Sequence, residues 1–264
     1  MMSKMSYWYS VGKIRAMEKN LLGSAVFRQA AESGREEALK LFAEALPEGD
    51  RLLEARDIRG VEEFLRGEKA GLERLVRQLL PDVRLLRLLE PESLLRLEVL
   101  LAGIKQGLIA DYFRHAADLY NIGVFLRMRS CRRPEAELPP ELAAGGFLAA
   151  EDFIRLYAKE TAAFLHLLSN VHKRGRIVDY AIALEDGIRG VEERNSFIRL
   201  EKRVKDFLIE VLRPAKYISC GPEPLVAYYY ARINEIELIR LVLLGKFSGF
   251  PQEKIQERIN AVYA

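Results

Sequence analysis

Three side chains on one predicted helix come nearest to a constellation that could do chemistry. His115 lies four residues after Asp111 and three before Asp118, so helical spacing brings all three towards one face. An imidazole between two carboxylates is a donor set for a divalent ion such as zinc. His166 and His172 are six apart, which does not place both on one helix face. No second group of His, Cys or carboxylates completes a site. The phosphate-binding glycine loop, the dinucleotide fingerprint and the serine elbow are all missing. Gly145-Gly146 reads as a turn without phosphate specificity. The sequence therefore predicts no catalytic residue, no metal and no cofactor. Asp111, His115 and Asp118 are expected as polar groups on the solvated side of an amphipathic helix.

Three basic clusters could instead serve binding: Arg127, Arg129, Arg132 and Arg133; Lys173, Arg174 and Arg176; and Lys202, Arg203 and Lys205. Each has the charge to meet nucleic acid, anionic lipid or an acidic protein face. The chain as a whole carries 41 basic against 38 acidic residues, a net +3, too balanced for a dedicated polyanion binder. Most of these cations are expected on solvated faces. The first cluster is the candidate partner contact, because it enters a loop rich in proline, where binding residues concentrate.

The element that must organise these groups is LVAYYYARINEIELIRLVLLGK, from Leu225 to Lys246. Its charges Arg232, Glu235, Glu237 and Arg240 scatter around the helix, so it has no single solvated face. Four charges and Asn234 exclude a bilayer span, which leaves a buried central helix. Its ions then need partners, and Arg232 with Glu235 and Glu237 with Arg240 stand at pairing distance, three residues apart. The helix also has a copy. Shifted by 117 positions without a gap, residues 108–138 fall on 225–255. Only six of thirty-one pairs are identical, but the kept features are structural. They are an aromatic pair, an acid (Asp118 on Glu235), apolar residues at helical spacing, a basic end and a following proline. A fainter echo lies at the start, where Tyr9, Gly12, Lys13, Ile14, Met17 and Glu18 fall on Tyr228, Ala231, Arg232, Ile233, Ile236 and Glu237. A repeat this long suggests duplicated helical modules.

Around this element the chain reads as helices in succession. Tyr7 to Leu22 forms the first, and Arg35 to Leu46 the next, stopped by Pro47. A helix through Ile58, Val61 and Leu65 stops near Gly67, and another through Leu72, Leu75, Val76 and Leu79 stops at Pro81. Pro91 opens a long amphipathic helix in which Leu94, Leu97, Leu101, Ile104 and Leu108 share a stripe. Ser130 to Gly146 is a loop. Phe153, Tyr157, Phe164 and Leu168 mark one further helix, then Ile177, Tyr180, Ala181, Leu184 and Ile188 another. Phe197 to Val211 is closed by Pro214, and Pro251 starts a short final helix with Ile255 and Ile259 inward. Alternating strand patterns are nearly absent, so the fold class is all-α. The opening MMSKMSYWYS has no apolar signal core, and Cys131 and Cys220 read as free thiols, so a cytoplasmic location is expected.

The closing run GPEPLVAYYYARINEIELIRLVLLGKFSGFPQEKIQERI resembles the C subunit of the archaeal and bacterial vacuolar-type (A/V-type) rotary ATPase, the counterpart of the eukaryotic d subunit. YWYSVGKIRAMEKNLL, with Arg15 and Glu18, resembles that family's first helix. DLYNIGVFLRMR followed by LAAGGFL resembles its middle segment. The resemblance implies one funnel-shaped helical region over 1–264, with modules near 1–90, 91–190 and 191–264, the first of them compressed. It implies a non-catalytic central-stalk part, seated on the membrane rotor ring and receiving the axle. Such a part would be cytoplasmic, peripheral on the membrane through the complex, with no membrane insertion and no nucleic acid. The alternative from the residues alone is a helical adaptor or nucleic-acid-binding protein that uses its basic loops.

Overall fold

The computed structural model describes residues 5–90, 93–104, 107–169, 171–173 and 176–264. Its α-helices are α1 (Met5–Glu18), α2 (Ser24–Glu32), α3 (Arg35–Ala45), α4 (Asp50–Leu53), α5 (Ile58–Leu79), α6 (Val83–Leu88), α7 (Leu97–Leu101), α8 (Leu108–Ser130), α9 (Ala150–Leu156), α10 (Thr161–Ser169), α11 (Tyr180–Arg194), α12 (Ile198–Leu212), α13 (Glu223–Phe247) and α14 (Gln252–Gln256). Among the described residues, one short antiparallel hairpin, β1 (Val171–Lys173) against β2 (Arg176–Val178), interrupts the succession of helices. Pro91 and Arg174 lie outside the described residues, as do the side chains of His172, Lys173, Arg176 and Ile177.

Several boundaries differ from the sequence reading, each for a physical reason. α5 is one helix through Gly67 and Gly71. A mid-helix glycine costs about 1 kcal/mol, and the buried stripe Val61, Phe64, Leu65, Leu72, Val76 and Leu79 outweighs it. The stretch from Leu94 to Leu108 breaks into a 3₁₀ turn, α7 and α8, although its spacing suits one helix. The Gly103 carbonyl in the break accepts from Arg84 Nη1 at 2.8 Å. Residues 153–168 divide into α9 and α10. That turn lets Phe153 and Phe164 both meet Phe125, with ring centroids 6.0 and 4.1 Å away. Ile177 belongs to β2, and α11 begins after Asp179, whose carboxylate accepts the Ile182 amide at 2.9 Å. α2, not anticipated, buries Phe27, Ala30 and Ala31.

The chain divides into two compact units, residues 1–81 with 212–264, and residues 82–211. In the first, α13 is the central helix and packs on α5, α1, α2 and α3. Leu225, Val226, Ala227 and Tyr228, four consecutive positions, are all buried, as expected of a helix with no solvated face. Ile236, Ile239, Val242 and Leu243 join Phe27, Phe42, Leu52, Val61 and Leu65 in one core. In the second unit Ile122, Phe125 and Leu126 of α8 pack with Phe153, Phe164, Tyr180 and Leu184.

The 117-residue repeat is written in the backbone. α8 ends at Ser130 and α13 at Phe247, equivalent positions. The Cys131 amide donates to the Arg127 carbonyl as Ser248 does to Leu244, and Arg133 donates to Met128 as Phe250 does to Gly245. The left-handed residue of this Schellman closure is Arg132 (φ 52°) in one copy and Gly249 (φ 69°) in the other. Pro134 and Pro251 then leave with ψ of 143° in both, and Leu138 and Ile255 are both buried.

Arg132 carries the left-handed strain that Gly249 avoids. Arg132→Gly should raise the unfolding free energy by about 1 kcal/mol and Gly249→Ala should lower it by about as much. Nothing lies within 4 Å of a Cβ built on Gly249, so its penalty is conformational alone. Urea unfolding of both variants checks this, and shifts of like sign would refute the shared cap.

Candidate functional site

The polar trio on α8 is buried, not solvated: Asp111, His115 and Asp118 are 5%, 1% and 0% exposed. Asp118 Oδ1 accepts the Leu148 amide at 3.0 Å, and Oδ2 accepts the Phe147 amide at 3.1 Å and the Tyr180 hydroxyl at 2.8 Å. His115 Nδ1 lies 2.5 Å from the same hydroxyl. The single hydroxyl proton goes to Asp118, so Nδ1 must carry the hydrogen that His115 gives to Tyr180. This chain of hydrogen bonds replaces the metal-ligand geometry that the spacing allowed. Among the described residues, no group of three or more His, Cys, Asp or Glu could hold a metal ion.

Gly145-Gly146 is the strap that this acid holds. A Cβ on Gly146 would lie 2.1 Å from Asp118 Oδ1, and Gly145 has φ of +92°. Asn121 grips the strap's start from both sides, giving Nδ2–H to the Ala143 carbonyl at 2.9 Å and accepting its amide at 2.8 Å. Burial pushes the Asp118 carboxyl up to about 6, against the opposing pull of the Leu148 amide, the Tyr180 hydroxyl and the Phe147 amide.

The equivalent acid on α13 is Glu235. Oε1 accepts the Leu22 amide at 2.6 Å and Oε2 meets Arg232 Nη1 at 2.5 Å. Arg232 stands where α8 has His115, and its Nη2 continues to Glu68 of α5 at 3.0 Å. Burial raises the Glu235 carboxyl to about 7, with Arg232 and the Leu22 amide acting the other way. The neighbouring Asn234 donates to the Ala261 carbonyl and accepts from Asn260, at 2.9 and 2.8 Å. The same basic-x-x-acid spacing occurs on α1. There Arg15 meets Glu18 at 2.6 Å and also donates to the Ala215 and Ile218 carbonyls. Arg240 reaches Glu62 of α5 at 3.0 Å, where spacing had suggested Glu237. Lys246, the basic end of α13, donates to the Ala31 and Ser33 carbonyls at 2.5 and 2.6 Å, closing the end of α2.

The arginine cluster is spread over the end of α8 and the turn beyond. Arg127 pairs with Glu201 at 2.9 Å and lies over the Phe197 ring. Arg129 lies over Phe125, and Arg133 bonds Glu137 while its carbonyl accepts from the Tyr157 hydroxyl. Arg132 is exposed at the left-handed position. Three of the four thus have local partners, so their charge is partly answered within the unit. In the third cluster, Arg203 shares Asp186 with Arg189, both at 2.7 Å. Sequence reasoning singled out the acids but missed Tyr180, Asn121 and Asn234, whose partners lie on other segments.

Together these features define a helical protein in which the described buried polar groups fasten its own segments to one another. The sequence model of the ATP synthase (C/AC39) subunit family matches residues 47–258, and the chain belongs to that family. A curated relative, the C subunit of the V-type sodium ATPase of Enterococcus hirae, is 27% identical over 146 residues. That stretch covers 55% of this chain and 42% of the relative, so the match spans less than half of the relative's length. Among the described residues, no helix is long and apolar enough to cross a membrane.

Both central acids hold their protons more tightly when folded than at their ordinary values of 3.8 and 4.5. Their contribution therefore favours folding at low pH and is lost as pH rises through about 6 and about 7. Each group's steepest slope is roughly 1.4 kcal/mol per pH unit. Urea midpoints should fall between pH 4.5 and pH 7.5, and Glu235→Gln should flatten part of that fall. Midpoints that rise with pH over this range would contradict it. Asp118→Asn, whose NH2 takes the place of one oxygen and so faces one of the two backbone N–H groups, should cost about 1–3 kcal/mol for the donor left unpaired.

Proposed function

We propose that this chain is a non-catalytic central-stalk subunit of a V/A-type rotary ATPase. It would couple the rotating axle to the membrane rotor ring for ATP-driven proton or sodium transport, or for ATP synthesis. The observation that carries the reading is the family match over residues 47–258. The three related modules and funnel shape implied by the resemblance belong to this proposal, as does a cytoplasmic, membrane-peripheral place within the complex. The relative's name specifies sodium, but the ion is chosen in the ring, so that word is not carried over. Long helices fastened by buried hydrogen bonds suit a part that transmits torque, since directional bonds resist sliding between elements in a way that apolar contacts do not.

Within this reading Arg127, Arg129, Arg132 and Arg133 are the proposed partner contact, meeting an acidic surface of the axle foot or of the ring. The second copy of the repeat has Leu244, Lys246, Gly249 and Phe250 at those positions. One scaffold thus presents a basic tip in one unit and a largely uncharged one in the other.

Affinity purification of the tagged chain from membranes should bring down the ATPase head and the ring, and recovery of the chain alone would overturn the stalk assignment. Replacing all four arginines with serine should weaken assembly with separately purified axle and ring. The deficit should be largest at low salt and shrink as salt screens the rim, with little change in thermal unfolding. Wild-type assembly by the variant at every salt concentration would remove the tip from the interface.

A further inference from the structure

A cavity of about 300 Å³ opens between the end of α1, α5 and α13, inside the first unit. That is the low end of the range for ligand pockets, roughly 300–1,000 Å³. Met17, Leu72 and Leu75 give it apolar lining, and Gly71 of α5 lines it without a side chain. A Cβ built on Gly71 would come no closer than 3.9 Å to another atom, so the space beside it is free. The polar lining is of another kind. Arg232 is 9% exposed and holds Glu68 Oε2 at 3.0 Å and Glu235 Oε2 at 2.5 Å. One buried guanidinium is thus shared by two carboxylates. The other oxygen of Glu68 has no hydrogen-bond partner among the described residues. Neither has the hydroxyl of Tyr228, which is 4% exposed, nor the amide side chain of the exposed Asn20. A buried tyrosine ordinarily pairs its hydroxyl. An open one beside a half-satisfied carboxylate, in a cavity of this size, calls for an occupant.

We propose that this cavity binds a primary alkylammonium group, the charged end of a short aliphatic amine. An ammonium has three N–H donors and no acceptor. Glu68 Oε1, the Tyr228 hydroxyl oxygen and the Asn20 carbonyl are three acceptors that line one cavity and lack a protein donor. Burial holds the Tyr228 hydroxyl above its ordinary value, so it stays neutral and offers a lone pair without a second charge. The methylenes of the amine would lie along Met17, Leu72 and Leu75, as the stems of long cationic side chains do on apolar surface. Charge favours a cation over an anion. Arg232 is already answered by Glu68 and Glu235, and the further charge acting on the Tyr228 hydroxyl is another acid, Glu18. An incoming anion would have to displace Glu68 from Arg232, whereas an ammonium completes Glu68 as it stands. A free aliphatic diamine and a lysine side chain of another protein both carry this chemistry. The site goes beyond the stalk reading and does not depend on it.

Titration calorimetry of the intact chain with pentylamine tests this, with pentanol and pentanoate as neutral and anionic comparators of equal chain length. Saturable binding of pentylamine is expected, with Kd on the order of 1 mM for so small a ligand, and no binding of either comparator at the same concentrations. Glu68→Gln keeps an oxygen for Arg232 but removes the charge, and should weaken binding by about tenfold or more. Gly71→Leu should fill the cavity and abolish binding while the thermal midpoint holds or rises, because leucine favours a helix over glycine. Pentanediamine and Nα-acetyl-lysine methylamide then separate the two sources. Tighter binding of the diamine assigns a free amine, and tighter binding of the lysine derivative assigns a protein side chain. Three results would each overturn the proposal: no saturable binding of pentylamine, a comparator that binds as tightly as the amine, or pentylamine binding that survives Gly71→Leu.

Discussion

A buried carboxylate cannot stay ionised without donors, and the architecture of each unit follows from where those donors come from. Asp118 takes two backbone amides from the strap at 147–148 and a hydroxyl from α11. Glu235 takes the Leu22 amide and the Arg232 guanidinium. Desolvating either acid alone would cost several kcal/mol, so each position tolerates an acid only while its segment is docked. Apolar burial supplies most of the driving force without direction. The acids supply the direction, deciding which stretch of backbone lies across the middle of each central helix.

The two copies solve one problem with different parts. Their helix ends close with the same hydrogen bonds, and the acid occupies the same position. The residue three before the acid is His115 in one and Arg232 in the other. His115 acts through Tyr180, whereas Arg232 pairs with its acid directly and extends to Glu68. The donors also come from different sequence distances: about one helix length ahead for Asp118, and 213 positions away for Glu235. The first unit is therefore closed by both ends of the chain, a long-range contact of the kind that slows folding. The second is contiguous.

Family membership, not a cluster of reactive side chains, carries the functional reading. Asp118, Tyr180 and Glu235, whose titrations burial displaces, are turned into the protein and spend their hydrogen bonds on its own backbone and side chains. Perturbed acids often mark catalytic sites. Here the same perturbation arises because burial and docking are one event.

The sequence by itself determined the class of fold, the central role of Leu225 to Lys246, and the repeat that pairs Asp118 with Glu235. Those are legible because apolar spacing, the scatter of charges and a constant offset are all local or linear properties. It also identified Arg232 with Glu235, since a pair three residues apart needs only a helix to meet. Tertiary structure alone decided whether a glycine stops a helix. Gly67 and Gly71 were overruled by the apolar stripe of α5, while the break at Gly103 carries a carbonyl bonded to Arg84. It decided that Arg240 turns to Glu62, and that Asp111, His115 and Asp118 face the interior. It also gave the turn at Gly145-Gly146 its purpose, which is to bring backbone amides against a carboxylate that a Cβ would strike. Those outcomes depend on atoms contributed by segments far along the chain, and the spacing of residues within one helix holds no record of them.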